Sequence, residues 1–245
     1  MSNKITILIA TLNSESTLQN LFDSLLNQTD PNFDIFISDG LSTDKTIEII
    51  RFNQKKLNIK FHSTSDFGIY DALNRGLGYV ISDYYLVVGS DDILNSHTIE
   101  NYLSILGSFP FDIICTSIQQ NGKIINPKKR LGWLYGMPGI TSSHSVGMLI
   151  NRKLHDKFGY YSQNYHIAAD QLFIKTVVYG SASVYHSNFV SGEFSVNGIS
   201  GTDSLSLITD IFRVQFETEK FKFLQIILFM LRLFKFYVRE FIISK

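Results

Sequence analysis

Two adjacent carboxylates, Asp91 and Asp92, follow an apolar strand pattern at 84–88 and precede a helical pattern that resumes near Ser96. Acids at the carboxyl end of a buried strand stand where open α/β sheets bind ligands. Such a pair gains little from burial without a cation, so it suits a hard metal ion, Mn2+ or Mg2+, bridging phosphate oxygens. The plainer reading is a helix cap with an acid in the first turn. Three other strand ends carry related groups: Thr11 and Asn13 after the first, Asp39 with Ser42, Thr43 and Asp44 after the second, Asp66 with Asp71 after the third. Asp39 can accept the imino proton of a uracil ring, and Thr11 and Asn13 can line a base or ribose. Taken singly, Asp39-Gly40 is equally a turn and Ser42 or Thr43 a cap. Taken together, four polar strand ends opening on one edge argue for a nucleotide site.

The elements that must position these groups alternate. Apolar runs at 5–10, 33–38, 57–63 and 84–88 read as strands; periodic stretches at 15–27, 43–53 and 69–81 read as helices, the second with Asp44 in its first turn. Strand and helix in alternation predict a parallel sheet with right-handed crossovers. Beyond 110 the order loosens: a strand at 111–119, a hairpin turn at Asn121-Gly122, and a Gly/Pro-marked loop at 127–139 carrying Trp133, the only tryptophan. A strand at 146–150, a helix at 168–179 and a strand at 183–186 follow.

The 245 residues hold no Pro/Gly/Ser-rich linker, so one catalytic unit over 1–204 with a helical tail over 205–245 is expected. A lone cysteine, Cys115, excludes an intrachain disulfide and a cysteine-based zinc cluster. The apolar run after Lys4 gives way to polar residues within six positions, so it reads as a strand and the chain is expected to stay in the cytoplasm. Zero net charge argues against a nucleic-acid partner. The charge is uneven, however. From 211 to 245 seven bases face three acids, leaving +4 there and −4 on the rest. The apolar run at 221–243 is interrupted by Lys222, Arg232, Lys235, Arg239 and Glu240, too many charges for a bilayer span. Arg232, Lys235 and Arg239 fall on one helical face and Ile226, Phe229, Met230, Leu233, Tyr237 and Phe241 on another, a pattern of a helix lying in a membrane interface or docked on its own domain.

The blocks Ile5-Thr6-Ile7-Leu8-Ile9-Ala10-Thr11-Leu12-Asn13, Ser38-Asp39-Gly40-Leu41-Ser42-Thr43-Asp44, Asp66-Phe67-Gly68-Ile69-Tyr70-Asp71-Ala72-Leu73-Asn74 and Ser90-Asp91-Asp92 together resemble the family-2 glycosyltransferases, in particular those that build bacterial O-antigen, capsule and colanic-acid repeats. The resemblance spans about 4–200 and implies the GT-A fold: an α/β nucleotide-diphospho-sugar transferase with a mixed, mostly parallel sheet, helices on both faces and, here, C-terminal amphipathic helices. It makes Asp39 the base-binding acid and Asp92 the metal ligand, with Asp91 supporting ribose or metal. Asp66, Asp71 and Asn74 fall in the donor-binding block. Ser90 stands where a full DxD triplet carries its first carboxylate. The stretch 168–171, with Asp170, matches the helix start where relatives keep the catalytic acid, so Asp170 is the expected general base, taking a proton from the attacking hydroxyl. His144, in a matching stretch at 138–144, is a candidate acceptor or phosphate contact, or a structural histidine. Asn197-Gly198-Ile199-Ser200 resembles a closing segment of relatives.

The processive members' Gln-x-x-Arg-Trp motif is absent, since Trp133 follows Arg130-Leu131-Gly132. One sugar per encounter is therefore expected, with Trp133 free to stack on an acceptor sugar or cap the core. The implied reaction is inverting hexosyl transfer, glucose or galactose first, from a UDP-sugar to a polyprenyl-diphosphate-linked saccharide at the inner face of the bacterial inner membrane. The competing reading is a non-catalytic sugar-nucleotide or lipid-binding module on the same fold.

Overall fold

The computed structural model describes residues 4–196 and 203–243. Its first half is the expected alternation: β1 (Ile5–Thr11), α1 (Leu18–Leu26), β2 (Phe33–Asp39), α2 (Thr46–Asn53), β3 (Ile59–Ser63), α3 (Ile69–Leu77) and β4 (Tyr84–Val87). Then come β5 (Ile93–Leu94), α4 (Thr98–Ser108), β6 (Ile113–Gln120), β7 (Lys123–Ile125), α5 (Gly132–Tyr135) and a 3-10 turn at Met137–Gly139. Last are β8 (Met148–Asn151), α6 (Leu154–Phe158), α7 (Ala169–Tyr179), β9 (Val184–Glu193), α8 (Ser204–Thr218) and α9 (Lys222–Ile243). One curled sheet runs β3-β2-β1-β4-β8-β6-β9-β5, with β7 paired to β6. The β3-β2-β1-β4 portion is parallel; β8 enters antiparallel between β4 and β6.

The period-2 alternation of β1 builds a core on each face of the sheet. Ile5, Ile7 and Ile9 pack with Leu18, Leu21, Phe22 and Leu25 of α1, while Leu8 packs the other way with Leu73 and Leu77 of α3. That second face also holds α7 and Val214 of α8. Helix α3 lies close to the sheet because Gly76 permits it: a Cβ there would fall 2.4 Å from Leu8 Cδ1 and 3.0 Å from Ser38 Oγ. The chain leaves β1 toward β2 and β3 on one side and returns to β4 on the other. That reversal makes the β1/β4 boundary a topological switch point, whose carboxyl ends open a crevice.

Several boundaries differ from the sequence pattern for local reasons. Asp44 precedes α2 rather than lying in its first turn, accepting from the Thr46 backbone N–H at 2.9 Å. The β6–β7 turn at Asn121 and Gly122 has positive φ at both residues (50° and 72°), as expected of Asn-Gly. The loop at 127–139 is not structureless, since α5 and the 3-10 turn lie within it. The former is held from outside: Gln215 donates to the carbonyls of Gly132 and Trp133, and Gln225 also to Trp133. Helix α8 is tied to the body by the Ile167 N–H to Asp210 (2.9 Å), Tyr165 to Glu217 (2.6 Å) and the buried Lys175 ammonium to Glu219 (2.5 Å).

The faces of α9 sort differently from the helical wheel. Phe229 stacks on Phe212 of α8 at 4.3 Å and so faces the protein. Arg232 keeps its i, i+3, i+7 relation to Lys235 and Arg239, but it is partly buried and donates to the Leu134 carbonyl at 2.8 Å, whereas those two are exposed. Phe223, Ile226, Ile227, Met230, Leu231, Phe234, Tyr237, Val238, Phe241 and Ile242 form an exposed apolar stripe along the helix. Among the described residues no helix is long and apolar enough to cross a membrane.

Candidate active site

Asp91 and Asp92 close the tight turn that follows β4, with Asp92 N–H donating to the Gly89 carbonyl at 3.1 Å. Asp92 is 1% exposed. One of its oxygens accepts from Gly89 N–H (2.7 Å) and Ser145 Oγ (2.5 Å), the other from Ser195 N–H (2.9 Å). Burial pushes its carboxyl up to about 6; these three hydrogen bonds oppose the shift and neighbouring Asp91 adds to it. Ser145 reaches Asp92 from a strained turn. Val146, fully buried and β-branched, has φ 45°, and Gly147 N–H turns back to the Ser145 carbonyl. Such backbone persists where the surroundings enforce it, and here it presents His144 and Ser145 to the crevice. Ser90, in place of a third acid, bonds Ser14 at 2.9 Å and joins the β1 and β4 ends.

The nucleotide-side residues divide into two groups. Asp39, 1% exposed at the end of β2, accepts from Thr11 Oγ1 (3.0 Å), Ser42 Oγ (2.5 Å), Ser42 N–H (3.0 Å) and Ser63 Oγ (2.6 Å). Its acceptor capacity is taken up by these hydroxyls, and a base reaching it would have to replace one. Asn13, at φ 51°, accepts from Thr43 N–H at 2.8 Å and holds the β1 end against the β2 end. Asp66 accepts from Gly68 N–H at 3.0 Å. Asp71 pairs with Arg75 at 2.7 Å and accepts from Gln163 at 3.0 Å; Asn74 brackets Tyr161 through both backbone groups at 2.8 and 3.0 Å. Asp71 and Asn74 thus brace the segment at 161–163 against α3.

One cavity of about 380 Å³ brings Asp91, Asp92, His144 and Asp170 together. Asp170 lies in the first turn of α7, where the helix N-terminus favours its charge. Its Oδ1 accepts from Tyr70 Oη at 2.8 Å and its Oδ2 stands 3.9 Å from His144 Nδ1. Much of the remaining wall is apolar, including Leu73, Met137, Ile167 and Phe194. Tyr70, Ser145 and Ser195 escaped the sequence reading, because a tyrosine in the first turn of an amphipathic helix and two isolated serines carry no pattern. Trp133 is 37% exposed and is not among the residues lining this cavity. The Asn197–Ser200 stretch lies outside the described residues.

Among the described residues no three His, Cys, Asp or Glu side chains gather to hold a metal. The Asp91 and Asp92 carboxylates nevertheless suit a divalent ion completed by diphosphate oxygens and water. Both offer hard oxygen donors, one Asp92 oxygen accepts a single hydrogen bond among the described residues, and a cation would offset the charge that burial disfavours.

The family model described as "Glycosyl transferase family 2" matches residues 6–175. A "PGL/p-HBAD biosynthesis glycosyltransferase" of Mycobacterium tuberculosis is 27% identical over 171 residues, covering 67% of this chain and 65% of the relative. The chain thus matches slightly under two-thirds of the length of that curated relative. Among solved structures, Staphylococcus aureus TarS 1–349 superposes with TM-score 0.68 at 21% identity, over 95% of this chain and 72% of TarS; its complex with UDP-GlcNAc superposes at 0.65, with 22% identity over 95% and 73%. The mannosyltransferase PcManGT of Pyrobaculum calidifontis, with GDP-Man and Mn2+, gives 0.65 at 14% identity over 89% and 65%. These structures show the shared GT-A fold.

Proposed function

Because the chain belongs to glycosyl transferase family 2, we propose that it is an inverting, non-processive glycosyltransferase moving a hexose, glucose or galactose first, from a UDP-sugar to a polyprenyl-diphosphate-linked saccharide in bacterial surface-polysaccharide assembly of the O-antigen kind. The observation that carries this reading is the one cavity lined both by the Asp91/Asp92 pair, from the turn after β4, and by Asp170, from the start of α7. Inversion needs a base on the side of the anomeric carbon opposite the leaving diphosphate, and carboxylates supplied to one cavity by separate elements can take those two roles. Asp170 takes the proton of the attacking hydroxyl. Tyr70 holds the Asp170 carboxylate through Oδ1. An Mn2+ or Mg2+ ion held by Asp91 and Asp92 would offset the charge growing on the departing diphosphate. Asp39, Thr11 and Asn13 form the base end of the site, Asp66 its rim, and Asp71 and Asn74 the brace behind it. The TarS complex with UDP-GlcNAc supports a UDP-sugar donor.

The acceptor's lipid is matched by α9. Its exposed apolar stripe, flanked by Lys235 and Arg239, suits insertion at the surface of an anionic inner leaflet, each base there contributing about 1 kcal/mol. The test is a donor screen: UDP-glucose, UDP-galactose and their N-acetyl forms, each with Mn2+ and a synthetic N-acetylglucosaminyl-diphosphate lipid. Transfer of one sugar from one of these donors supports the reading. Binding of UDP without turnover on any acceptor would instead favour a non-catalytic binding module.

A further inference from the structure

The wall of the cavity that carries Asp170 is short of one proton. His144 is buried, with Nδ1 3.9 Å from Asp170 Oδ2, too far for a hydrogen bond, and Nε2 2.8 Å from the Tyr161 hydroxyl. Behind it runs a buried series. Tyr161 Oη lies 2.7 Å from Tyr85 Oη, Tyr85 Oη 2.7 Å from His155 Nε2, and His155 Nδ1 3.0 Å from the Gly159 carbonyl oxygen. The far end fixes every direction. A carbonyl oxygen only accepts, so the His155 Nδ1 proton points there. Burial lowers the His155 ring to about 4 and keeps it neutral, so its Nε2 is bare and accepts from Tyr85. Tyr85 has no second proton, so its oxygen accepts from Tyr161; by the same count Tyr161 accepts from His144 Nε2–H. Burial, outweighing the opposite pull of Asp170, holds the His144 ring neutral as well. Its Nδ1 is therefore bare, and it faces another acceptor.

Tyr70 adds to the deficit. Its single proton has two acceptors, the Ile167 carbonyl at 2.5 Å and Asp170 Oδ1 at 2.8 Å, and cannot serve both. A hydroxyl oxygen fits between two acceptors 3.9 Å apart, within hydrogen-bond reach of each, and its one proton can serve them in turn, Nδ1 before the attack and Oδ2 during it. Resting on the glycosyltransfer reading above, we propose that His144 Nδ1 is a second seat for the attacking sugar hydroxyl, opposite Asp170 Oδ2, and that Tyr161, Tyr85 and His155 are positioning residues that fix its tautomer. The hydroxyl oxygen then bonds to the anomeric carbon as the bond to the diphosphate breaks, its electron pair leaving on the diphosphate. The hydroxyl proton passes to Asp170. It arrives on Oδ2, the oxygen beside the bare His144 Nδ1, while Oδ1 goes on accepting from Tyr70.

The first test needs no turnover. In 15N-histidine-labelled protein at neutral pH, the His144 ring-nitrogen shifts should show Nε2 protonated and Nδ1 bare, and Tyr161→Phe should remove that preference. A protonated Nδ1, or a charged ring, overturns the proposal. The second test separates the two nitrogens by rate. His144→Asn keeps an amide oxygen near the Nδ1 position and should retain more kcat than His144→Gln, which keeps only a donor toward Tyr161. His144→Gln should lose on the order of tenfold or more in kcat at unchanged donor KM. Equal rates in the two variants, or wild-type kcat in His144→Gln, overturn the seat while leaving the glycosyltransferase reading intact. Absence of transfer by the wild-type protein overturns the seat together with that reading, whatever the tautomer.

Discussion

Replacing Asp92 with asparagine should disable the protein, and the ligand-free variant should gain stability relative to wild type as pH rises. Burial is the main cause that raises the Asp92 carboxyl from 3.8 to about 6. A carboxyl raised on folding contributes stability that is fully present below 3.8 and lost as pH rises through 6. The shift of about 2.2 units corresponds to about 3 kcal/mol lost in full, of which roughly four-fifths disappears between pH 4 and pH 7.5. Asparagine keeps one oxygen for Gly89 or Ser195 and has no charge to bury. The quantity to measure is the stability of Asp92→Asn minus that of wild type, at pH 4 and again at pH 7.5. Comparing the two cancels the amide's lost hydrogen bonds and the opposite, common contribution of His155, whose lowered pKa weakens the fold as pH falls. The difference should move in favour of the variant by about 2 to 2.5 kcal/mol, or about 5–10 °C in Tm for a chain of this size. Mn2+ with UDP should then raise the Tm of wild type and not of the variant. A difference that is flat with pH would refute the claim that Asp92 is a charge held at a cost for binding.

Three further outcomes follow from the same geometry. Asp170→Asn should retain UDP-sugar affinity in calorimetry while losing a factor of about 10² or more in kcat; a near-normal rate would move the base elsewhere. Gly76→Ala gains about 1 kcal/mol of helix propensity but places a methyl against Leu8 and Ser38, so urea denaturation should show a net loss of about 1–2 kcal/mol. No loss would mean that α3 shifts freely on the sheet. Changing Phe223, Met230 and Phe234 together to serine should release the protein from anionic vesicles and slow transfer to a long-chain acceptor. Because these side chains are exposed, the fold should be unaffected and a short-chain soluble acceptor should still react. Retention on vesicles would remove α9 from the account.

The parallel half of the sheet was legible because it depends on local pattern. The run 5–10 is an apolar strand and 69–81 a periodic helical stretch, so β1 falls where the pattern puts it and α3 starts there but ends at Leu77, four residues early. The Asp91/Asp92 pair drew attention as acids at a strand end and Asp170 through the family resemblance, and the structure brings all three to one cavity. The remainder depends on contacts between distant segments. Nothing near Tyr70 in sequence announces the Ile167 carbonyl 97 positions away, and nothing near Ser145 announces Asp92. β5 is two residues long and pairs only because β9 runs beside it. Helical periodicity could not orient α9, because it is apolar on both sides: Phe229 and Arg232 meet the body through partners on Phe212 and Leu134.

The central claim is that Asp170 acts across the cavity from a diphosphate bound at Asp91 and Asp92. It is tested most directly by the anomeric configuration of the first product formed from an α-linked UDP-hexose, read by NMR coupling of the transferred sugar's anomeric proton. A β-linked product, lost on Asp170→Asn, is the expected result. An α-linked product would require the displacement to occur on the diphosphate's own face, and would contradict the placement of the base.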